Sequence, residues 1–144
     1  MSMTPRKILV PVDGSDNSNR AVDLVASYAA SGLVGEVHLL NVQPSVSGDV
    51  SAFVGKRALQ GYHHDEGMKV LTPVQKRLAS TSLKTVLHIG VGDPAEIIVE
   101  FCEELGCDNI VMGTRGLGGA VGLLLGSVST DVLEKTNVPV TLVK

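Results

Sequence analysis

The chain has 144 residues, a length that suits one domain spanning residues 1–144. Apolar residues make up 44% and charged residues 19%, which excludes disorder, and 12 Lys plus Arg against 15 Asp plus Glu leave a net charge of −3, which excludes a broad basic surface for nucleic acid. No run approaches the ~18 apolar residues of a membrane span, and residues 1–7 carry no signal-like apolar segment, so the expectation is a soluble cytoplasmic protein with no membrane partner.

Ile8-Leu9-Val10-Pro11-Val12 is an almost uninterrupted apolar run, the pattern of a strand covered on both faces. Asp13-Gly14-Ser15-Asp16 breaks it. Ala21, Val22, Leu24, Val25, Tyr28 and Ala29 then recur at helical spacing, and Gly32 suits the position after a helix end. Residues 37–42 form the second predicted strand. Residues 43–57 carry Pro, Ser and Gly with little period and read as a loop. Leu59 through Ala79 reads as helical, with Leu59, His63, Glu66, Val70, Val74 and Leu78 on one rough face. Thr72-Pro73-Val74-Gln75 also has the form of a capping box with Pro at the first helical position, which leaves open one kinked helix or two. Residues 85–89 give the third strand.

Asp93-Pro94-Ala95-Glu96 is a helix start, with Asp as N-cap and Pro at N1; Ile97, Ile98, Phe101 and Leu105 supply the apolar face and Gly106 the end. Residues 109–112 form the fourth strand. Val128, Val132 and Leu133 mark a last helix, and residues 138–143 a fifth strand. Strands alternating with helices predict a largely parallel sheet with helices on both faces. Ligands of such sheets bind beyond the carboxyl ends of the strands at the switch in strand order, here after the first and fourth strands. Cys102 and Cys107 would stand about 140° apart on a helix. They match no zinc spacing and read as buried free thiols.

The stretch from Gly113 to Ser127 follows a strand, precedes a helix and contains Gly113, Gly116, Gly118, Gly119, Gly122 and Gly126. Phosphate binding needs inward backbone N–H groups, close approach without a Cβ, and a helix N-terminus, and this stretch offers all three. The alternative is a surface loop with glycine turns. Gly90-Val91-Gly92-Asp93-Pro94-Ala95 matches G-x-G-x-x-A, but on the third strand and with the Asp93 carboxylate where a pyrophosphate would lie, so an ordinary β–α turn is the better reading. A Walker A match fails because Gly55-Lys56 is followed by Arg57 and position 50 is Val50. Asp13, at the end of the first strand, suits a ribose hydroxyl acceptor or, alternatively, an Asx turn leading into the first helix.

Gly113, Gly116, Gly126 and Ser127 follow G-x2-G-x9-G-(S/T), and this spacing resembles the nucleotide-binding universal stress proteins. The opening Ile8-Leu9-Val10-Pro11-Val12-Asp13-Gly14-Ser15, residues 108–113 and residues 138–143 share the resemblance, which covers nearly the whole chain. It implies an open five-stranded parallel α/β sheet in the order 3-2-1-4-5 with helices on both faces, a Rossmann-like fold of the adenine nucleotide alpha-hydrolase type. It implies ATP, with Mg²⁺ as a companion to the phosphates. Asp13 would meet the ribose, and the backbone at Val42, near Pro11 and Val12, the adenine. Gly113, Gly116, Gly126, Ser127 and Val128 would hold ribose and phosphates, with Arg115 the one cation of the loop. It also implies a homodimer through residues 138–143, with Pro139 where no ladder donor is needed.

The function expected is a nucleotide-dependent stress-response or signalling module. The alternatives are a slow Mg²⁺-dependent ATPase, a nucleotide-free interaction adaptor, and an electron-transfer flavoprotein, for which 3% aromatic residues offer little to stack on a flavin. Hydrolysis needs a base, and none stands out: His38 and His88 fall within strands as packed or edge residues, and His63 and His64 are expected on a solvated helix face. Enzyme activity is therefore the weaker reading. A bulky residue at Gly113 or Gly126 is expected to abolish binding while leaving the fold.

Overall fold

A computed structural model describes residues 4–116 and 124–144. Gly118, Gly119 and Gly122 of the glycine-rich stretch lie outside the described residues. In chain order the elements are β1 (Arg6–Pro11), α1 (Asp16–Ser27), a 3-10 turn (Ala29–Ser31), β2 (Val34–Gln43), α2 (Gly48–Val54), α3 (Lys56–Leu78), β3 (Lys84–Val91), α4 (Pro94–Leu105), β4 (Asn109–Gly113), α5 (Ser127–Lys135) and β5 (Val140–Val143). The strands pair in parallel in the order β3-β2-β1-β4-β5.

β1 sits in the middle of the sheet, and its alternate side chains enter different cores. Ile8, Val10 and Val12 join Val37, Leu39, Leu71 and Val74 on one side, beneath α1 and α3. Leu9 joins Leu40, Ile98, Ile110 and Val132 on the other, beneath α4 and α5. A strand covered on both faces needs apolar residues at successive positions, which is why residues 8–12 read as a continuous run. Helices approach the sheet closely where glycine removes the Cβ: one built on Gly67 would fall 2.6 Å from Ile89 Cδ1, and one on Gly90 2.4 Å from Ile97 Cγ2.

Local signals placed most helix ends. Asp93 accepts from the Glu96 N–H at 3.1 Å, and Gly106 ends α4 at φ 66°. Two expectations are corrected and one alternative is decided. Residues 43–57 are not all loop: Ser47 accepts from the Val50 N–H and starts α2, a helix with no buried residue and hence no apolar period to read. Residues 56–78 form one helix with Pro73 inside it. Pro73 lies on the exposed face, where water can reach the carbonyl that its missing N–H leaves without a donor. His63 is buried rather than solvated, on the α3 stripe it shares with Gly67, Leu71, Val74 and Leu78, while His64 is exposed. Cys102 and Cys107 are buried free thiols, as expected.

Candidate functional site

β1 and β4 are adjacent, and the chain leaves them toward opposite faces of the sheet, so a crevice opens beyond their carboxyl ends. A cleft of about 410 Å³ occupies it. Pro11, Val12 and Asp13 line it from the end of β1, Val42 from β2, Gly113, Arg115 and Gly116 from the end of β4, and Gly126, Ser127 and Val128 from the start of α5. All ten site residues expected from sequence thus meet at one cavity, although they come from segments about a hundred residues apart.

The turn after β1 is tightly organised. Asp13 Oδ1 accepts from the Ser15 N–H at 2.9 Å, which is the Asx turn weighed as an alternative for this residue. Ser15 in turn caps α1 by accepting from the Ser18 N–H at 3.2 Å. Asp13 also lines the cleft, and its second carboxylate oxygen lies over Gly116: a Cβ there would stand 2.3 Å from Asp13 Oδ2.

The far wall is built on Thr114, a buried residue that sequence reasoning missed. Its N–H donates to the Val143 carbonyl at 2.8 Å, its carbonyl accepts from the Gly126 N–H at 2.7 Å, and its hydroxyl accepts from Asn17 Nδ2 at 3.2 Å. Ser129 Oγ lies within hydrogen-bond reach of the carbonyls of Gly113 and Thr114, at 3.0 and 3.1 Å. Together these bonds fix the first turn of α5 beside the end of β4. Gly126 is the N-cap of α5 and has no side chain to cap it, so the N–H groups of Ser127, Val128 and Ser129 are what an anion at this end would meet. Arg115 is the one cation among the described residues lining the cleft, and it is exposed.

The profile of the universal stress protein family matches residues 4–144. The chain belongs to that family. It is 36% identical to the universal stress protein MJ0531 of Methanocaldococcus jannaschii over 96% of this chain and 82% of that one. Its fold is similar to the solved structure of MJ0577 from the same organism, with a TM-score of 0.85 at 33% identity, covering 99% of this chain and 97% of the other. It is also similar to a universal stress protein solved in complex with cAMP, with a TM-score of 0.68 at 25% identity over 98% of each chain.

In this universal stress protein the cleft also takes in Ser15, Ser18, Leu40, Pro94, Ile98, Met112 and Ser129, none of which was expected at the site. The apolar ones were legible only as core, since periodicity does not tell a core side chain from one facing a cavity. His38, His63 and His88 stand away from it: none lines the cleft. Among the described residues no group of three or more His, Cys, Asp or Glu gathers to hold a metal.

Proposed function

We propose that this universal stress protein is an ATP-binding module of a stress or signalling response, reporting nucleotide through its 43–57 and 114–126 segments and the state of a homodimer. The observation that carries this is the convergence of Asp13, Val42, Gly113, Gly116, Gly126 and Ser127 on one cleft, whose volume lies within the range of small-molecule sites. Adenine would sit against Pro11, Val12 and the Val42 backbone, ribose against Asp13, and phosphates over Gly116 and the α5 N-terminus, with Arg115 in reach. Gly116 supports this: its missing Cβ leaves the space beside the Asp13 carboxylate that a side chain would fill. The universal stress protein solved with cAMP supports an adenine nucleotide as the ligand class.

With one cation in the lining, most of a triphosphate's charge would be met by backbone N–H dipoles and by Mg²⁺ carried on the phosphate oxygens. The dimer would use β5, which is the edge of the sheet and pairs on one side with β4; Pro139 precedes the strand and its carbonyl already accepts from the Ile110 N–H. A cytoplasmic location belongs to the same reading.

The deciding experiment is to denature the purified protein, identify any released small molecule by mass spectrometry, and titrate the emptied protein with ATP and Mg²⁺ by calorimetry. Released or titratable ATP near one per chain is expected. ADP formed over a timed incubation would move the reading to a slow ATPase, and absence of any adenine nucleotide binding would overturn it in favour of a nucleotide-free adaptor.

A further inference from the structure

The peptide unit joining Val12 to Asp13 is held at both of its polar atoms. Asn41 Nδ2 donates to the Val12 carbonyl at 2.9 Å, and the Asp13 N–H donates to Ser18 Oγ at 3.4 Å. β1 ends at Pro11, whose register partner is Leu40, and the Val12 N–H still reaches the Leu40 carbonyl at 2.8 Å. The Asn41 side chain therefore carries the β1–β2 pairing one step past the last residue of the strand.

The amide orientation follows from its partners. A carbonyl oxygen only accepts, so Asn41 must turn its NH₂ group to Val12, and its own oxygen then accepts from Gln43 Nε2 at 2.6 Å. Asn41 is 4% exposed. A buried amide is costly unless it is bonded, and an apolar residue would otherwise suit this position between core residues. Side chains alternate along a strand, so Asn41 shares the α1–α3 side with Val37 and Leu39, while Leu40 and Val42 face the cleft. Asn41 itself does not line the cleft. What it controls is the rotation of the Val12–Asp13 peptide, and with it the direction in which the Asp13 side chain leaves the backbone.

We propose that Asn41 is a positioning residue: from behind the sheet it aims the Asp13 carboxylate at the ribose hydroxyls, so that recognition of the sugar depends on a side chain that touches no ligand. The inference rests on the nucleotide reading of the cleft.

The test is calorimetric titration of wild type, Asn41→Leu, Asp13→Ala and the double variant with ATP and with 2′,3′-dideoxy-ATP. Hydrogen bonds to a carboxylate are among the stronger ones, so wild type is expected to favour ATP by about tenfold or more. Asn41→Leu is expected to bring the ratio within about threefold while leaving the dideoxy affinity nearly unchanged, as loss of one hydrogen-bonding interaction would. In the Asp13→Ala background it should have no further effect, because a residue acting through another is silent once that other is gone. Asn41→Asp keeps the shape and the acceptor for Gln43 but cannot donate to Val12; it serves if Asn41→Leu does not fold, with the same expected loss of ratio.

A wild-type ratio in these variants, an equal loss toward both ligands, or an additive loss in the double variant would overturn the proposal. Wild type binding both ligands equally would remove the ribose role of Asp13 and this proposal with it, leaving nucleotide binding intact. Wild type binding neither would overturn the nucleotide reading itself.

Discussion

His88 Nε2 on β3 lies 2.7 Å from His38 Nδ1 on β2, in a stacked pair whose ring centroids are 5.0 Å apart. His38 Nε2 lies 2.7 Å from Glu36 Oε1. An ionised carboxylate only accepts, so His38 presents Nε2–H to Glu36 and its Nδ1 accepts from His88 Nε2–H. Burial, and then the neighbouring His38, hold His88 below the usual histidine value of 6.5. For Glu36 burial pushes upward, but the His38 hydrogen bond, with Lys84 and Lys7 nearby, outweighs it and holds the carboxyl below 4.5.

As pH falls through about 6.5, the unfolded chain takes up a proton at position 88 before the folded chain does, and stability falls; it falls again below about 4.5 as Glu36 is protonated. The melting temperature is therefore expected to drop from pH 7 to pH 5. His88→Gln keeps a donor toward His38 but does not titrate, and it should flatten that part of the curve. An unchanged slope in the variant would refute the assignment.

Gly113, Gly116 and Gly126, the glycines of the spaced pattern, separate into different roles. A Cβ at Gly113 would fall 2.7 Å from Asn17 Cβ and 3.0 Å from the Asn17 carbonyl carbon, so α1 must move. Gly113→Ala is expected to cost about 1–3 kcal/mol of stability, which corrects the expectation that substitution here leaves the fold. At Gly126 a Cβ meets Arg115 Cα and Thr114 O at an ordinary 3.5 Å, so Gly126→Ala should lower stability only by the N-cap preference for glycine over alanine, about 0.5–1 kcal/mol. Among the described residues a Cβ at Gly116 meets the Asp13 carboxylate alone, which is already held by the Ser15 N–H and must give way. The substitution should cost less stability than Gly113→Ala, which meets helix backbone, and should lower nucleotide affinity in the titration described above.

His63 is 6% exposed, and neither ring nitrogen has a hydrogen-bond partner among the described residues. A buried polar atom without a partner costs about 1–3 kcal/mol. His63→Leu should therefore match or exceed wild-type stability in urea denaturation, whereas a loss larger than that of an ordinary core replacement would show that the ring is bonded.

Burial raises the thiol of Cys102, and burial with the nearby Cys102 raises that of Cys107 to about 12. The thiolate is the reactive form, so neither cysteine should react with an aromatic disulfide reagent at pH 8 while the chain is folded. Both should react at once in denaturant. Fast reaction of the native protein would contradict the burial.

Much of the architecture was legible because it depends on local pattern. The apolar run 8–12 marked the central strand, Asp93-Pro94 with Gly106 bracketed α4, and the spacing Gly113, Gly116, Gly126, Ser127 announced the site. α2 was illegible because a seven-residue helix that buries nothing carries no period. His63 was expected in solvent although its spacing put it on the face of Val74 and Leu78, and its burial follows the spacing.

The sequence alone picked out the residues that gather at the cleft, since glycine spacing, a carboxylate at a strand end and strand–helix alternation are properties of neighbours along the chain. Only the tertiary structure decided what holds them. Thr114 bridges β5 and α5, Gly113 admits α1, and Asn41 reaches Val12. Each of these bonds or contacts joins residues brought together by the parallel crossovers, and hydrogen-bond geometry between distant segments leaves no trace in the order of the residues themselves.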